Sequence, residues 1–322
     1  MSELHKFLFE GLPVRGMLVR LTDSWTEVLR RRAATGAYPA PVRNLLGEMA
    51  AAATLMQANI KFNGALVMQI HGDGPVKLAV AEVNSDLGLR ATATLAGAVD
   101  EAAGLETLVN ARGQGRCAIT LDPRDRRAGQ QPYQGIVPLH GDRREPLQHL
   151  AQVLEHYMLQ SEQLDTRLVL AADERLAAGL LIQRLPIEGA GNLAQEKREA
   201  EIGRSEDFAR IAHLAATLGR DELLGLDADT ILRRLFWQER LRRFEPLQGD
   251  SGPHFACTCS RERVARMLRG LGRADIESLI AERGQAEVGC EFCGAQYRFD
   301  AIDAAELFTP RADQAPGSDT VH

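Results

Sequence analysis

The chain has 322 residues, too many for one ordinary core, and 45% are hydrophobic, so a sizeable interior can be buried. Charged residues make up 25%, the globular average, which excludes wholesale disorder. The net charge of −6, from 38 basic and 44 acidic residues, disfavours a chain whose main work is coating nucleic acid.

Ser24-Trp25-Thr26-Glu27 reads as a capping box that opens a helix running to about Ala34, with Gly36 and Pro39 as breakers. Pro41 suits the first turn of a second helix, whose Leu45, Leu46, Met49, Ala53 and Met56 share one face. The period then changes to two. Leu66, Met68 and Ile70 alternate with Val67 and Gln69, His71–Pro75 is a turn, and Val76, Leu78 and Val80 return, which predicts a hairpin. Further strands are expected at Arg90–Leu95, Arg116–Leu121 and Gln134–Leu139, then a helix from about Glu145 to Gln160. Strands at Thr166–Ala171 and Ala178–Gln183 close this part. Consecutive strands on short turns imply antiparallel pairing, and helices segregated from them imply an α+β fold.

Between Ala194 and Glu245 the character shifts: 21 of 52 residues are charged, eleven acidic and ten basic. The apolar residues still keep helical spacing, through Ile202, Phe208, Ile211, Leu214 and Leu218, then Ile231, Leu235, Leu241 and Phe244. Two readings fit this pattern: a solvated connecting bundle, or a marginally stable segment whose narrow stripe needs another surface to lie on. Gly252 and Pro253 mark the next boundary. In the final module Ser260 can cap a helix over Arg261–Arg269, a second helix should span Asp275–Arg283 and end at Gly284, and Glu287–Gly289 and Gln296–Phe299 alternate as short strands. The expected organisation is an antiparallel-sheet-plus-helices domain over 1–186, a charged helical linker over 187–250, a small four-cysteine module over 251–308 and a disordered tail over 309–322.

The common catalytic signatures are missing. None of the four lysines (Lys6, Lys61, Lys77, Lys197) follows a glycine, so there is no Gly-Lys-Ser/Thr phosphate loop. Gly113-Gln114-Gly115 is followed by Ala118 where a dinucleotide fingerprint needs its third glycine. Neither an H-E-x-x-H helix nor a G-x-S-x-G elbow occurs. No enzyme is expected. The opening segment has no apolar run long enough for a secretory signal, and no stretch of about 18 apolar residues follows, so a cytoplasmic chain without membrane contact is expected.

That compartment gives the five cysteines their meaning, because reducing conditions leave thiols, metal ligands or redox sensors rather than structural disulfides. Cys257-Thr258-Cys259, thirty intervening residues, then Cys290-Glu291-Phe292-Cys293 fit a tetrahedral site with four thiolate ligands, each pair supplying one edge. A module this small cannot easily fold on its own core, and one zinc ion supplies what is lacking. Gly294 suits a tight knuckle, and His254 reads as an exposed loop histidine rather than a ligand. Cys117 follows strand alternation and reads as a packed small hydrophobe. Zinc-bound thiolates remain open to oxidants, so neighbouring cysteines can become disulfides as the metal leaves. Spacing permits such a switch without showing one.

Phe255-Ala-Cys257-Thr-Cys259-Ser-Arg-Glu-Arg263, followed by Cys290-Glu-Phe-Cys293-Gly-Ala-Gln-Tyr297-Arg-Phe299, resembles the zinc module of the heat shock protein 33 family. Upstream, Ser161-Glu162-Gln163-Leu-Asp-Thr166 and Gly179-Leu-Leu-Ile-Gln183-Arg-Leu-Pro186 resemble that family's Ser-Glu-Gln-x-x-Thr and Gly-x-Leu-x-Gln-x-x-Pro segments, and Arg233-Arg-Leu-Phe236 part of its linker helix. Asp165, where many members have proline, is a minor departure. The resemblance implies a redox-regulated, ATP-independent holdase chaperone. It implies zinc on Cys257, Cys259, Cys290 and Cys293 in the inactive reduced state. It further implies disulfides Cys257–Cys259 and Cys290–Cys293 on oxidation, zinc release, and unfolding of the C-terminal module and linker. The partners implied are unfolded client proteins, a second copy in an oxidised homodimer, and ATP-driven foldase chaperones that receive clients.

Two other classes share the cysteine pattern. A zinc-ribbon nucleic-acid binder would use Arg261, Arg263, Arg266 and Arg269, against the acidic net charge. A thiol-disulfide oxidoreductase would use Cys290 and Cys293, but such a site should open a helix in a βαβ unit rather than sit in a knuckle.

Overall fold

The computed structural model describes residues 1–33, 36–125, 131–185 and 206–309. Ala34, Pro186, Ile202 and the tail after Pro310 lie outside the described residues. The chain forms two compact units, Met1–Ala256 and Cys257–His322.

The first unit begins with strands β1 (Glu3–Phe9) and β2 (Val14–Leu21), which the sequence pattern did not reveal. Helix α1 (Asp23–Ala33) follows, then α2 (Ala40–Asn59). Next come β3 (Gly64–His71), β4 (Val76–Asn84) and β5 (Gly88–Leu95), a short α3 (Leu105–Val109), β6 (Arg116–Pro123) and β7 (Tyr133–Pro138). Helix α4 (Leu150–Glu162) and strands β8 (Thr166–Ala172) and β9 (Ala177–Arg184) complete the segment before the connector. The connector supplies a helix over 206–216 (α5), then α6 (Arg220–Gly225) and α7 (Ala228–Phe236). It ends in short strands β10 (Leu241–Arg243), β11 (Leu247–Gln248) and β12 (His254–Phe255).

Two sheets result. One runs β10-β1-β2-β9-β8, with β11 also on β1, and the other runs β12-β5-β4-β3-β6-β7. Pairing is antiparallel as expected, except that β12 joins β5 in parallel. The α+β class therefore holds, with two sheets. Helix α2 packs on strands of both. Fourteen of its 20 residues are buried, so it is a central helix, apolar nearly all round, rather than one with a single apolar face.

Several local expectations changed. The capping box at Ser24 does not form: Glu27 pairs with Arg30 and Arg31, while the Asp23 carboxylate accepts from the Ser24 and Ser2 backbone N–H groups. The helix expected from Glu145 begins at Leu150, after the Glu145 carboxylate accepts the Arg143 N–H in a tight turn. Leu241 and Phe244 do not continue a helical stripe, because α7 stops at Phe236 and Leu241 enters β10.

The strands of the first sheet are buried on both faces, which explains their lost alternation: seven of eight β9 residues are buried. Leu4, Met17, Val19, Leu21, Leu168 and Leu181 join the core around α2. Phe7, Phe9, Val14, Leu18, Leu180 and Ile182 point the other way. Gly16 is needed there, since a Cβ would lie 2.2 Å from the Phe7 ring.

The second unit contains α8 (Arg261–Leu271), α9 (Arg273–Arg283), a hairpin of β13 (Ala286–Gly289) and β14 (Gln296–Phe299), and α10 (Ala301–Phe308), which was not anticipated. Gly284 ends α9 in the left-handed region, at φ 81°. Its core is small: Leu268, Ile276, Ile280, Ala286, Phe299 and Ala304.

Candidate functional site

The two cysteine pairs sit on two local turns. Ser260 caps α8 by accepting the Arg263 N–H, and Arg263 Nη1 donates to the Thr258 carbonyl at 2.8 Å, which fixes the turn between Cys257 and Cys259. The other pair ends the β13–β14 hairpin, where Cys290 N–H donates to Ala295 O and Gly294 N–H to Cys290 O, both at 2.8 Å. Gly294 takes φ 72°, the conformation the knuckle needs.

These turns bring the four sulfurs together. Cys257 Sγ lies 3.7 Å from Cys290 Sγ, Cys259 Sγ lies 3.3 Å from Cys293 Sγ, and all four fall within 4.8 Å of one another. A tetrahedral zinc with Zn–S bonds of about 2.3 Å has S···S edges of about 3.8 Å. The donor set fits a metal ion in both number and spread. Sequence reasoning missed Tyr297, whose hydroxyl donates to Cys259 Sγ at 3.1 Å. Its place on β14, alternating with Arg298, was the available signal.

Ionisation is unequal across the cluster. Burial pushes the Cys293 thiol up to about 12 and also raises Cys290. Burial acts on Cys259 as well, but donors from Tyr297 and the neighbouring sulfurs outweigh it and bring that thiol down to about 7. Four thiols at this spacing oppose each other's ionisation, and a divalent cation removes the conflict. Cys117 is fully buried in the first core, and burial lifts its thiol to about 12, so it packs as a hydrophobe. His254 is exposed in β12, and the four-sulfur group does not include it.

The arginines of the nucleic-acid alternative are partly spent inside the module. Arg261 donates to Arg298 O at 2.7 Å, pairs with Asp303 at 2.6 Å and lies over the Phe299 ring. Arg263 holds the first knuckle and Arg266 faces Glu262.

The connector stripe has a defined seat. Ile211, Ala215 and Leu218, then Leu223, then Ile231, Leu232, Leu235 and Phe236 are buried against Phe7, Phe9, Val14, Leu18, Leu180 and Ile182, with Phe208 and Leu214 at the edge. Phe236 meets the Phe9 ring edge-to-face, with centroids 5.0 Å apart. Arg20 Nη1 donates to Leu223 O and Arg220 Nη2 to Ala172 O, so polar contacts pin α6 to strand ends.

The sequence profile described as Hsp33 protein matches residues 2–300. The chain belongs to the Hsp33 family. A 33 kDa chaperonin of Chromobacterium violaceum is 46% identical over 308 residues, covering 95% of this chain and 94% of that protein. One from Azotobacter vinelandii is 44% identical over 315 residues, with 97% and 96% covered. Among solved structures, the 33 kDa chaperonin of Thermotoga maritima matches with a TM-score of 0.72 at 19% identity, covering 95% of this chain and 98% of that one, which supports the fold. Membership of the Hsp33 family gives the chain a chaperone role, and with it the binding of unfolded client proteins. Among the described residues of this Hsp33 chain no helix is long and apolar enough to cross a membrane.

Proposed function

We propose that this chain is a redox-regulated, ATP-independent holdase of the cytoplasm. In the reduced state Cys257, Cys259, Cys290 and Cys293 hold one zinc ion as thiolates, and the protein is inactive. A two-electron oxidant, hydrogen peroxide for example, joins Cys257 to Cys259 and Cys290 to Cys293. Each thiolate pair gives up two electrons, and each peroxide takes them with two protons and leaves as two waters. The sulfurs then no longer ligate, zinc is released, and residues 251–308 lose the ion on which their small core depends. The linker, 187–250, follows, and the apolar sheet face beneath it becomes available to unfolding clients. An oxidised homodimer carries them until reduction, when they pass to ATP-driven foldases. Binding alone needs no catalytic group and no nucleic acid.

The observation that carries this reading is the cover of Phe7, Phe9, Leu18, Leu180 and Ile182 by the short, highly charged connector helices. A contiguous apolar patch of several hundred Å² is rarely left open on a stable monomer because it binds things. A cover of low intrinsic stability makes its exposure conditional.

The test compares reduced and peroxide-treated protein for zinc release and for suppression of client aggregation by light scattering. Release of one zinc per chain with suppression only after oxidation supports the reading. Equal suppression in both states removes redox control and leaves chaperoning.

A further inference from the structure

Two sequence segments, Ser161–Thr166 and Gly179–Leu185, have no part in the switch, yet the fold brings them together. Gln183 on β9 is fully buried, its Nε2 donates to Thr166 Oγ1 at 2.9 Å, and its Oε1 accepts from Arg15 Nε, Arg15 Nη2 and Asn59 Nδ2. Glu162, at the end of α4, accepts the hydroxyls of Tyr157 at 2.8 Å and Tyr133 at 3.1 Å. Gly135 makes room for this, since a Cβ there would strike the Tyr157 ring at 2.6 Å. Between the two networks lies a cavity of about 140 Å³, walled by Met56, Leu66, Ile119, Met158, Leu164 and Leu181, with Arg15 and Glu162 both on its lining. A protein cavity of about 150 Å³ with apolar walls accepts a benzene ring.

The charges on this lining are unequally matched. Glu162 is satisfied by two phenol donors. Arg15 is half-buried, both its hydrogen bonds end on a neutral amide oxygen, and among the described residues no carboxylate lies within ion-pair range of it. Neighbouring Lys6 donates to Ala58 O at the negative end of α2 and brings no anion either. Burial lowers the pKa of both cations, and Arg15 lowers that of Lys6 further. A half-buried cation beside an apolar cavity lacks a negative partner.

We propose that this cavity is a binding site for small carboxylic acids bearing one apolar group, the carboxylate seated on the Arg15 guanidinium and the apolar group among Met56, Leu66, Ile119 and Leu181. With the Nε–Nη2 edge of Arg15 turned to Gln183, its Nη1–Nη2 edge is the one that would take the carboxylate, and the volume sets the tail at about one ring. The site is built from residues of the first unit alone and does not depend on the redox reading.

The experiment uses reduced, zinc-loaded, full-length protein with ¹³C-methyl methionine, titrated with 3-phenylpropionate and separately with its uncharged amide. The Met56 and Met158 methyl signals are expected to shift saturably with the acid, with a Kd of about 1 mM or lower. The amide should bind at least about tenfold more weakly, as loss of a charged hydrogen-bond pair dictates. Arg15→Gln should abolish the preference for acid over amide, and Arg15→Lys should keep part of it. Should Arg15→Gln fail to fold, the lysine variant and the acid–amide comparison on the unaltered chain decide. Shifts that do not saturate by about 10 mM, equal binding of acid and amide, or shifts only at methionines outside the cavity would overturn the proposal.

Discussion

The first sheet has two apolar faces built from the same strands, yet their covers differ in kind. On one face lies α2, twenty residues with only Arg43 and Glu48 charged and fourteen residues buried. On the other lie three short helices from a stretch in which 21 of 52 residues are charged. A helix buried nearly all round is inseparable from its domain, whereas helices of six to eleven residues hold their shape only while something lies beneath them. The first cover is core. In the proposed switch the second leaves without taking the sheet with it.

Metal removal should widen this difference most. A structural tetrathiolate ion contributes about 10–16 kcal/mol, and six buried residues cannot replace it. Chelation of the reduced protein is expected to open residues 257–309 to proteolysis while residues 1–185 stay protected, as mapped by mass spectrometry. A second unit still protected after complete chelation would refute dependence on the ion.

A matched pair of core truncations comes next. Leu46→Ala, on the buried side of α2, should cost about 2–5 kcal/mol and lower the thermal midpoint of the whole first unit. Phe236→Ala should cost a similar amount locally, speed amide exchange over residues 206–236 and give the reduced protein client binding, with the midpoint little changed. Equal midpoint drops would erase the distinction between the covers.

Glu48 bears on the α2 side. Burial pushes its carboxyl up to about 7, against the pull of Arg220. A folded pKa above the unfolded value means that ionisation works against folding. The penalty is absent below about pH 4.5, grows as pH rises, and is fully developed above about pH 7. Glu48 keeps some solvent contact, so the penalty is set at about 1–3 kcal/mol. Glu48→Gln should raise the denaturation midpoint at pH 8 and leave it unchanged at pH 4; the same gain at both pH values would rule out ionisation as the cause.

The smallest effect is expected at Asp227, whose carboxylate accepts the Thr230 N–H at the start of α7. Asp227→Ala should cost about 1 kcal/mol of α7 docking, visible as faster exchange within α7 and nowhere in the α2 core.

The four-cysteine cluster was the most readable part of the chain, because two close cysteine pairs need only local turns to form half-sites. Cys257, Cys259, Cys290 and Cys293 converge, while Tyr297 and the knuckle-holding role of Arg263 were missed, because a phenol on a sulfur or a guanidinium on a turn carbonyl leaves no spacing signature. The hairpin of β3 and β4 was readable because one face meets the core and the other is partly solvated. Strands β1 and β2 were not, since a sheet covered on both faces loses its period of two. The parallel partnership of β12 with β5 joins residues far apart in sequence, which no local pattern encodes. Gln163 ends α4 in the left-handed conformation at φ 55°, past the expected end near Gln160, and the carboxylate of Glu162 beside it lines a cavity that no sequence pattern marks.

The connector also closes two raw borders of the sheets. Strands β10 and β11 lie along β1, and β12 lies along β5. Lifting them would bare rows of backbone N–H and C=O groups beside the apolar face. Such a border pairs with any extended chain, whatever side chains that chain carries. Grip on a stranger's main chain, which every polypeptide shares, is a form of recognition that needs no motif in the molecule it holds.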